Sequence, residues 1–337
     1  MIMNYLEEDL QKLSAYIKEK NFENSRVLIT GATGLIGSLC VKAFLKSGDI
    51  HVIGLARNSD KVKSMFPEDK NLSFVYQDII SPLSDEIECD YIVHTANSTT
   101  SKYFMTNPVE VIESIYTGTK QVLNYALKHK VKGIVYLSSM EVFGEVHTEA
   151  RLSEEQLGYL DIQNIRSCYS ESKRLAELLC KSYAEEYGLP VCVARLAQTF
   201  GAGIPKSENR VFAQFARSSV MGRNIVLHTN GQSMGNYCYT TDVIKALILL
   251  LKEGKKGEAY TVVNEETTRT IKEVAQMVAE NFSDGCSKVI FDIPENNRYG
   301  YAPATKMKLS SKKLRELGWK PEFSLKEMFE RMIPDLM

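Results

Sequence analysis

The run Arg26-Val-Leu-Ile-Thr30, followed by Gly31-Ala-Thr-Gly34-Leu-Ile-Gly37 and a helical pattern from Leu35 to Lys46, constrains this chain more than any other feature. A short apolar strand that turns through glycine directly into a helix puts glycine where the backbone must bend tightly and approach a ligand closely. The alternation continues, with strands expected near 51–55, 73–76, 91–95 and 133–138, then a helix over 169–187 and a strand over 190–195. Strands interleaved with helices predict an α/β fold on a parallel, doubly wound sheet.

In that context the glycine turn reads as a dinucleotide site, with Gly31, Thr33, Gly34, Leu35, Ile36 and Gly37 cradling a pyrophosphate at a helix amino terminus. The end of the second strand, Gly54-Leu-Ala56-Arg57-Asn58, carries no carboxylate for a ribose 2'-hydroxyl. Arg57 suits a 2'-phosphate instead, which tilts the choice between NAD and NADP toward NADP.

A length of 337 residues predicts about two domains. Leu6, Leu10, Leu13 and Ile17 mark an amphipathic helix within residues 1–24, suited to covering a sheet edge or pairing subunits. Residues 25–196 plus about 241–265 form the expected NAD(P)-binding Rossmann-type domain. A smaller discontinuous α/β domain for substrate takes about 197–240 plus 266–337. Forty-one basic residues balance 42 acidic ones, leaving a net charge of -1 and no basic stripe for nucleic acid. The seven cysteines are scattered without a CxxC pair, so neither a disulfide framework nor a metal site is expected. No stretch reaches the roughly 20 apolar residues that span a bilayer, and the reading is a cytoplasmic protein without a membrane partner.

Tyr169-Ser-Glu-Ser-Lys173 sets a phenol and an ammonium four residues apart on one helical face. A nearby cation lowers a phenol from about 10 toward neutrality and makes it a proton donor or acceptor. The same spacing occurs at Tyr16/Lys20 and Tyr116/Lys120, but only the third follows a strand ending in Ser138-Ser139 and opens the helix before another strand.

Together with Asp78-Ile79, His94-Thr-Ala-Asn97, Gly118-Thr119, Ser138-Ser-Met-Glu-Val-Phe-Gly144 and Arg195-Leu-Ala-Gln-Thr-Phe-Gly201, these motifs resemble the extended short-chain dehydrogenase/reductases that modify nucleotide sugars. The resemblance covers about residues 24–335. It implies that Asp78 and Ile79 hold adenine, that Thr95, Ala96, Asn97 and Leu196 line the cofactor, and that Lys173 holds the nicotinamide ribose. Tyr169 then deprotonates a sugar hydroxyl oriented by Ser139, and hydride passes between the sugar and the nicotinamide. Glu141 stands where relatives that eliminate water or carbon dioxide carry glutamate, acting in dehydratases as the base at C5. Met140 replaces the aspartic acid that dehydratases place beside it. Gln198, Arg210, Val211 and Arg298 are the further substrate candidates, whereas Gly235 falls where relatives have a phosphate-binding arginine and Ser114 where they have an asparagine.

The resemblance implies a transient oxidation at C4 of a nucleotide-diphosphate sugar, followed by epimerisation, dehydration or decarboxylation, with Glu141 favouring the last two. An NADPH-dependent reductase of a nucleotide-linked keto sugar is the alternative, and an intact Ser139, Tyr169 and Lys173 argue against a non-catalytic module. By the same resemblance, helices over 108–130 and 169–187 pair two copies into a homodimer.

Overall fold

The computed structural model describes residues 4–97, 99–146, 148–294 and 306–337. The strands are β1 (Arg26–Thr30), β2 (His51–Ala56), β3 (Leu72–Tyr76), β4 (Tyr91–His94), β5 (Gly133–Ser139), β6 (Arg151–Leu152), β7 (Val191–Leu196) and β8 (Gln198–Phe200). They continue as β9 (Ile225–Leu227), β10 (Met234–Tyr239), β11 (Ala259–Val262), β12 (Asn264–Thr270), β13 (Val289–Phe291) and β14 (Lys308–Leu309). The helices are α1 (Tyr5–Glu19), α2 (Leu35–Lys46), α3 (Ser59–Met65), α4 (Ser101–Thr106), α5 (Pro108–Lys128) and α6 (Ser167–Tyr187). After them come α7 (Val211–Val220), α8 (Thr240–Glu253), α9 (Ile271–Phe282), α10 (Lys312–Glu316) and α11 (Leu325–Leu336).

Seven strands form one parallel sheet in the order β11-β7-β5-β4-β1-β2-β3. Successive side chains of a strand point to opposite faces, and β1 shows the result. Val27 and Ile29 join a core with α1, α2 and α8, while Leu28 joins the opposite core with α5 and α6. Both faces are therefore covered, which accounts for the nearly continuous apolar run in β1.

A third core gathers Phe200, Phe212, Tyr237, Val274 and Phe329 from α7, α9, α11 and the small mixed sheet β12-β10-β8. The sequence pattern does not announce β10 and β12. Asn264-Glu-Glu-Thr-Thr-Arg-Thr270 has no alternating apolar residues, and β12 forms because β10 offers it an antiparallel ladder.

The amphipathic helix is α1, but it does not cover a sheet edge. Leu10, Leu13 and Ile17 pack into the core shared with α2 and α8, making α1 an outer layer over one face. Asp9, 2% exposed, accepts from Tyr239 Oη at 2.6 Å and pairs with Arg331 of α11 at 2.5 Å. Among the described residues no helix is long and apolar enough to cross a membrane.

Candidate active site

Chain order reverses between β1 and β4, so their carboxyl ends open the crevice where such sheets bind ligands. Gly31 leaves β1 with φ +67°, and a Cβ there would lie 2.7 Å from Thr95 Oγ1 and 2.8 Å from Ala96 Cα. Gly37 presses on the Gly31 carbonyl, with no room for a side chain. Gly34 is the N-cap of α2 and brings no capping side chain, so the first-turn amides beyond it have no side-chain acceptor. Thr33, Leu35 and Ile36 complete the turn, all partly exposed.

Thr30 joins the two strand ends. Its Oγ1 accepts from the amides of Thr95 and Ala96 at 3.1 and 3.2 Å, which leaves its own proton for His94 Nδ1 at 2.7 Å. His94 Nε2 therefore carries the ring proton and donates to Thr119 Oγ1 at 3.2 Å. Burial, reinforced by Lys173, pushes His94 down to about 3 and keeps it neutral. Both amide atoms of Asn97 are buried without a partner among the described residues. That orphaned amide, the glycine cradle and the uncapped helix fit a dinucleotide.

At the end of β2, Arg57 is 76% exposed and lies 3.4 Å from Asp78 Oδ2. Ile79 is buried, and Gly118 of α5 lets the helix approach its side chain closely.

Beside the crevice, α6 carries Tyr169 and Lys173 one turn apart. Tyr169 is 6% exposed and stacks on Phe104 with ring centroids 4.4 Å apart. Lys173, 2% exposed, donates to the Leu137 carbonyl at 2.6 Å and lies 5.8 Å from the Tyr169 ring centre. Burial pushes Lys173 down to about 7. Tyr169 moves opposite to the sequence expectation: burial and the Glu141 charge push it up, against a Ser139 hydrogen bond and the Arg166 charge. The Lys173 ammonium donates to the Leu137 carbonyl and is itself disfavoured by burial.

Ser139 ends β5 beside Leu196 of β7 and caps the short 3₁₀ turn Met140–Phe143, accepting from the Glu141 amide at 3.2 Å. Glu141 is mostly buried and hydrogen-bonded. Arg166 grips it with a fork, Nη1 to Oε2 at 2.9 Å and Nη2 to Oε1 at 3.0 Å, and Ser170 Oγ donates to Oε2 at 3.2 Å. Met140 packs against a small core that includes Val142 and Leu309.

The sequence reading missed Arg166. Arg166, Ser170 and Arg174 stand four residues apart, from the N-cap of α6 into its body, but that spacing does not point to a partner 25 residues away. Arg174 extends the grip, with Nε to the Val142 carbonyl at 2.8 Å and Nη2 to the Gly158 carbonyl at 2.7 Å.

Gln198 opens β8 opposite Tyr237 of β10. Arg210 has its guanidinium committed to Glu208, Nε at 3.0 Å and Nη2 at 2.7 Å, and Val211 is an exposed residue opening α7. Arg298 lies outside the described residues. At Gly235 the Tyr237 hydroxyl fills the space a side chain would take, and Arg269 is the cross-strand neighbour. Ser114 turns its hydroxyl to the Val111 carbonyl within α5 at 3.1 Å.

A parallel sheet with a glycine turn at its reversal point, and a Ser-Tyr-Lys set at the same strand ends, define an extended short-chain dehydrogenase/reductase. The chain belongs to the NAD dependent epimerase/dehydratase family, whose sequence model matches residues 27–264. It is similar to UDP-glucuronic acid decarboxylase 6 of Arabidopsis thaliana, 28% identical over 93% of this chain and 89% of the relative. A UDP-N-acetyl-alpha-D-glucosaminuronate decarboxylase of Bacillus cytotoxicus is 29% identical over 87% of this chain and 91% of its own. Among solved structures, UDP-glucose 4-epimerase of Thermotoga maritima with UDP-glucose superposes with a TM-score of 0.78 at 22% identity, covering 92% of this chain and 98% of that one. These proteins modify nucleotide sugars, and the chain is an NAD(P)-dependent enzyme of their group.

Proposed function

We propose that the protein removes carbon dioxide from a nucleotide-linked uronic acid that it oxidises transiently at sugar C4. The observation that carries this reading is the engagement of Glu141, both of whose oxygens are held by Arg166 and Ser170. Eliminating water across C5 and C6 needs a base for the C5 proton and an acid for the departing hydroxyl. Here the carboxylate is occupied by donors, and Met140 has no proton to give. Loss of carbon dioxide needs neither group: with a ketone at C4 the C5–C6 bond breaks toward the carbonyl, and the electron pair becomes an enolate. The two decarboxylase relatives support the same choice.

When bound, the oxidised dinucleotide would supply the hydride acceptor for C4. Tyr169, which burial keeps protonated at rest, would release that proton to solvent before acting as base, then take the C4 hydroxyl proton and return it to the same oxygen at the end. Ser139, its hydroxyl already oriented by the 3₁₀ turn, fixes that oxygen. Lys173, which here donates to the Leu137 carbonyl, would turn to the ribose, and C5 recovers a proton from solvent after carbon dioxide leaves.

The test is a substrate panel read by mass spectrometry: nucleotide-linked glucuronic and N-acetylglucosaminuronic acids, dTDP-glucose and UDP-glucose. Loss of carbon dioxide from a uronic acid is the expected result. Loss of water from dTDP-glucose, with both uronic acids untouched, overturns it.

A further inference from the structure

Helix α6 faces the site with two ladders one residue out of phase. Tyr169 and Lys173 form one, and Arg166, Ser170 and Arg174 form the other. The second ladder grips a single object, the 3₁₀ turn Met140–Phe143 and the carboxylate it carries. Three donors reach Glu141, two from Arg166 at the N-cap of α6 and one from Ser170 within it, and Arg174 holds the carbonyl of the next residue, Val142. Both Glu141 and Arg166 are mostly buried, with side chains 29% and 25% exposed, so the fork operates where water competes weakly.

We propose that Arg166 is a positioning residue that keeps Glu141 from acting as a base at C5. This rests on the decarboxylase reading and deepens it. Three donors fill three of the roughly four lone-pair sites of the carboxylate, and the fork fixes its plane, so the lone pair left on Oε1 cannot turn toward a C–H bond without giving up a charge-assisted hydrogen bond. Released from the fork, Glu141 stands two residues from Ser139 with a free oxygen, and the C5 proton, acidified by the C4 ketone, becomes its target. The balance is simple: carboxylate and C5–H give carboxylic acid and enolate, and the reverse step in deuterium oxide returns deuteron in place of proton.

The test is exchange in deuterium oxide with the holoenzyme and a nucleotide-linked uronic acid. Decarboxylation alone delivers one solvent deuteron to product C5 and none to recovered substrate. Wild type is expected to return unlabelled substrate, and Arg166→Gln to return substrate deuterated at C5, with kcat lowered roughly 10- to 100-fold and KM little changed. Arg166→Lys keeps the positive charge beside Tyr169 but not the fork, so its exchange lies between the two. Deuterated substrate from wild type overturns the inference, as does an Arg166→Gln protein that turns over substrate yet shows no exchange. If wild type leaves every uronic acid untouched, the decarboxylase reading falls by itself. The exchange is then read on whichever nucleotide hexose the protein oxidises, where label from wild type overturns the inference and label confined to Arg166→Gln sustains it.

Discussion

Lys173 is deeply buried at the site: 2% exposed, resting on a carbonyl, and pushed down to about 7 by burial. Below about pH 7 the folded, dinucleotide-free protein carries a buried ammonium, a penalty of order a few kcal/mol that fades as pH rises toward the unfolded value near 10.5. Wild type should therefore gain stability between pH 7 and 10 relative to Lys173→Met, seen in paired thermal melts. Parallel pH dependence in the two proteins would contradict the burial account. At Arg57 the exposed guanidinium, paired to Asp78 only through Nη1 at 3.4 Å, suits a 2'-phosphate, and we expect Arg57→Ala to weaken NADP binding roughly tenfold and to leave NAD binding unchanged by calorimetry. Tyr169 and Lys173 were legible in the sequence because one helical turn separates them. Arg166 was not, since its partner Glu141 lies 25 residues away on another element.

At the scale of elements, α1 is tied down by a buried charge as well as by its apolar stripe. Asp9, Tyr239 and Arg331 link α1, β10 and α11. Asp9→Ala leaves Arg331 short of its partner and should cost about 3 kcal/mol in urea unfolding, with part of the loss recovered in Asp9→Ala/Arg331→Met; a change under about 0.5 kcal/mol would show the link to be idle. The stripe of α1 was readable from its helical spacing, but its place was not, because an apolar face does not say which surface covers it. Strand β12 was unreadable for another reason: its polar residues form a strand only through their ladder with β10. On the far side of the sheet, α5 and α6 pack together and leave Val109, Ile112, Leu175 and Leu178 43–62% exposed. We propose that a second copy covers them. Leu178→Asp should turn a dimer into a monomer in sedimentation at micromolar concentration, and an unchanged mass would place the contact elsewhere.

For the whole molecule, the doubly wound sheet does the organising. Reversal of chain order between β1 and β4 opens one crevice, and β1, β4, β5 and β7 deliver Gly31, Asn97, Ser139 and Leu196 to the same edge. The alternating strands and helices made that architecture legible, whereas the pairing of the 3₁₀ turn with α6 is a product of the assembled fold. The central claim is that this crevice oxidises, decarboxylates and reduces in one cycle without net use of its dinucleotide. The most direct measurement is the number of carbon dioxide molecules released from a nucleotide-linked uronic acid per dinucleotide bound, with none added to the reaction. The account predicts many turnovers for each bound dinucleotide; release of at most one, with reduced dinucleotide accumulating, would contradict it.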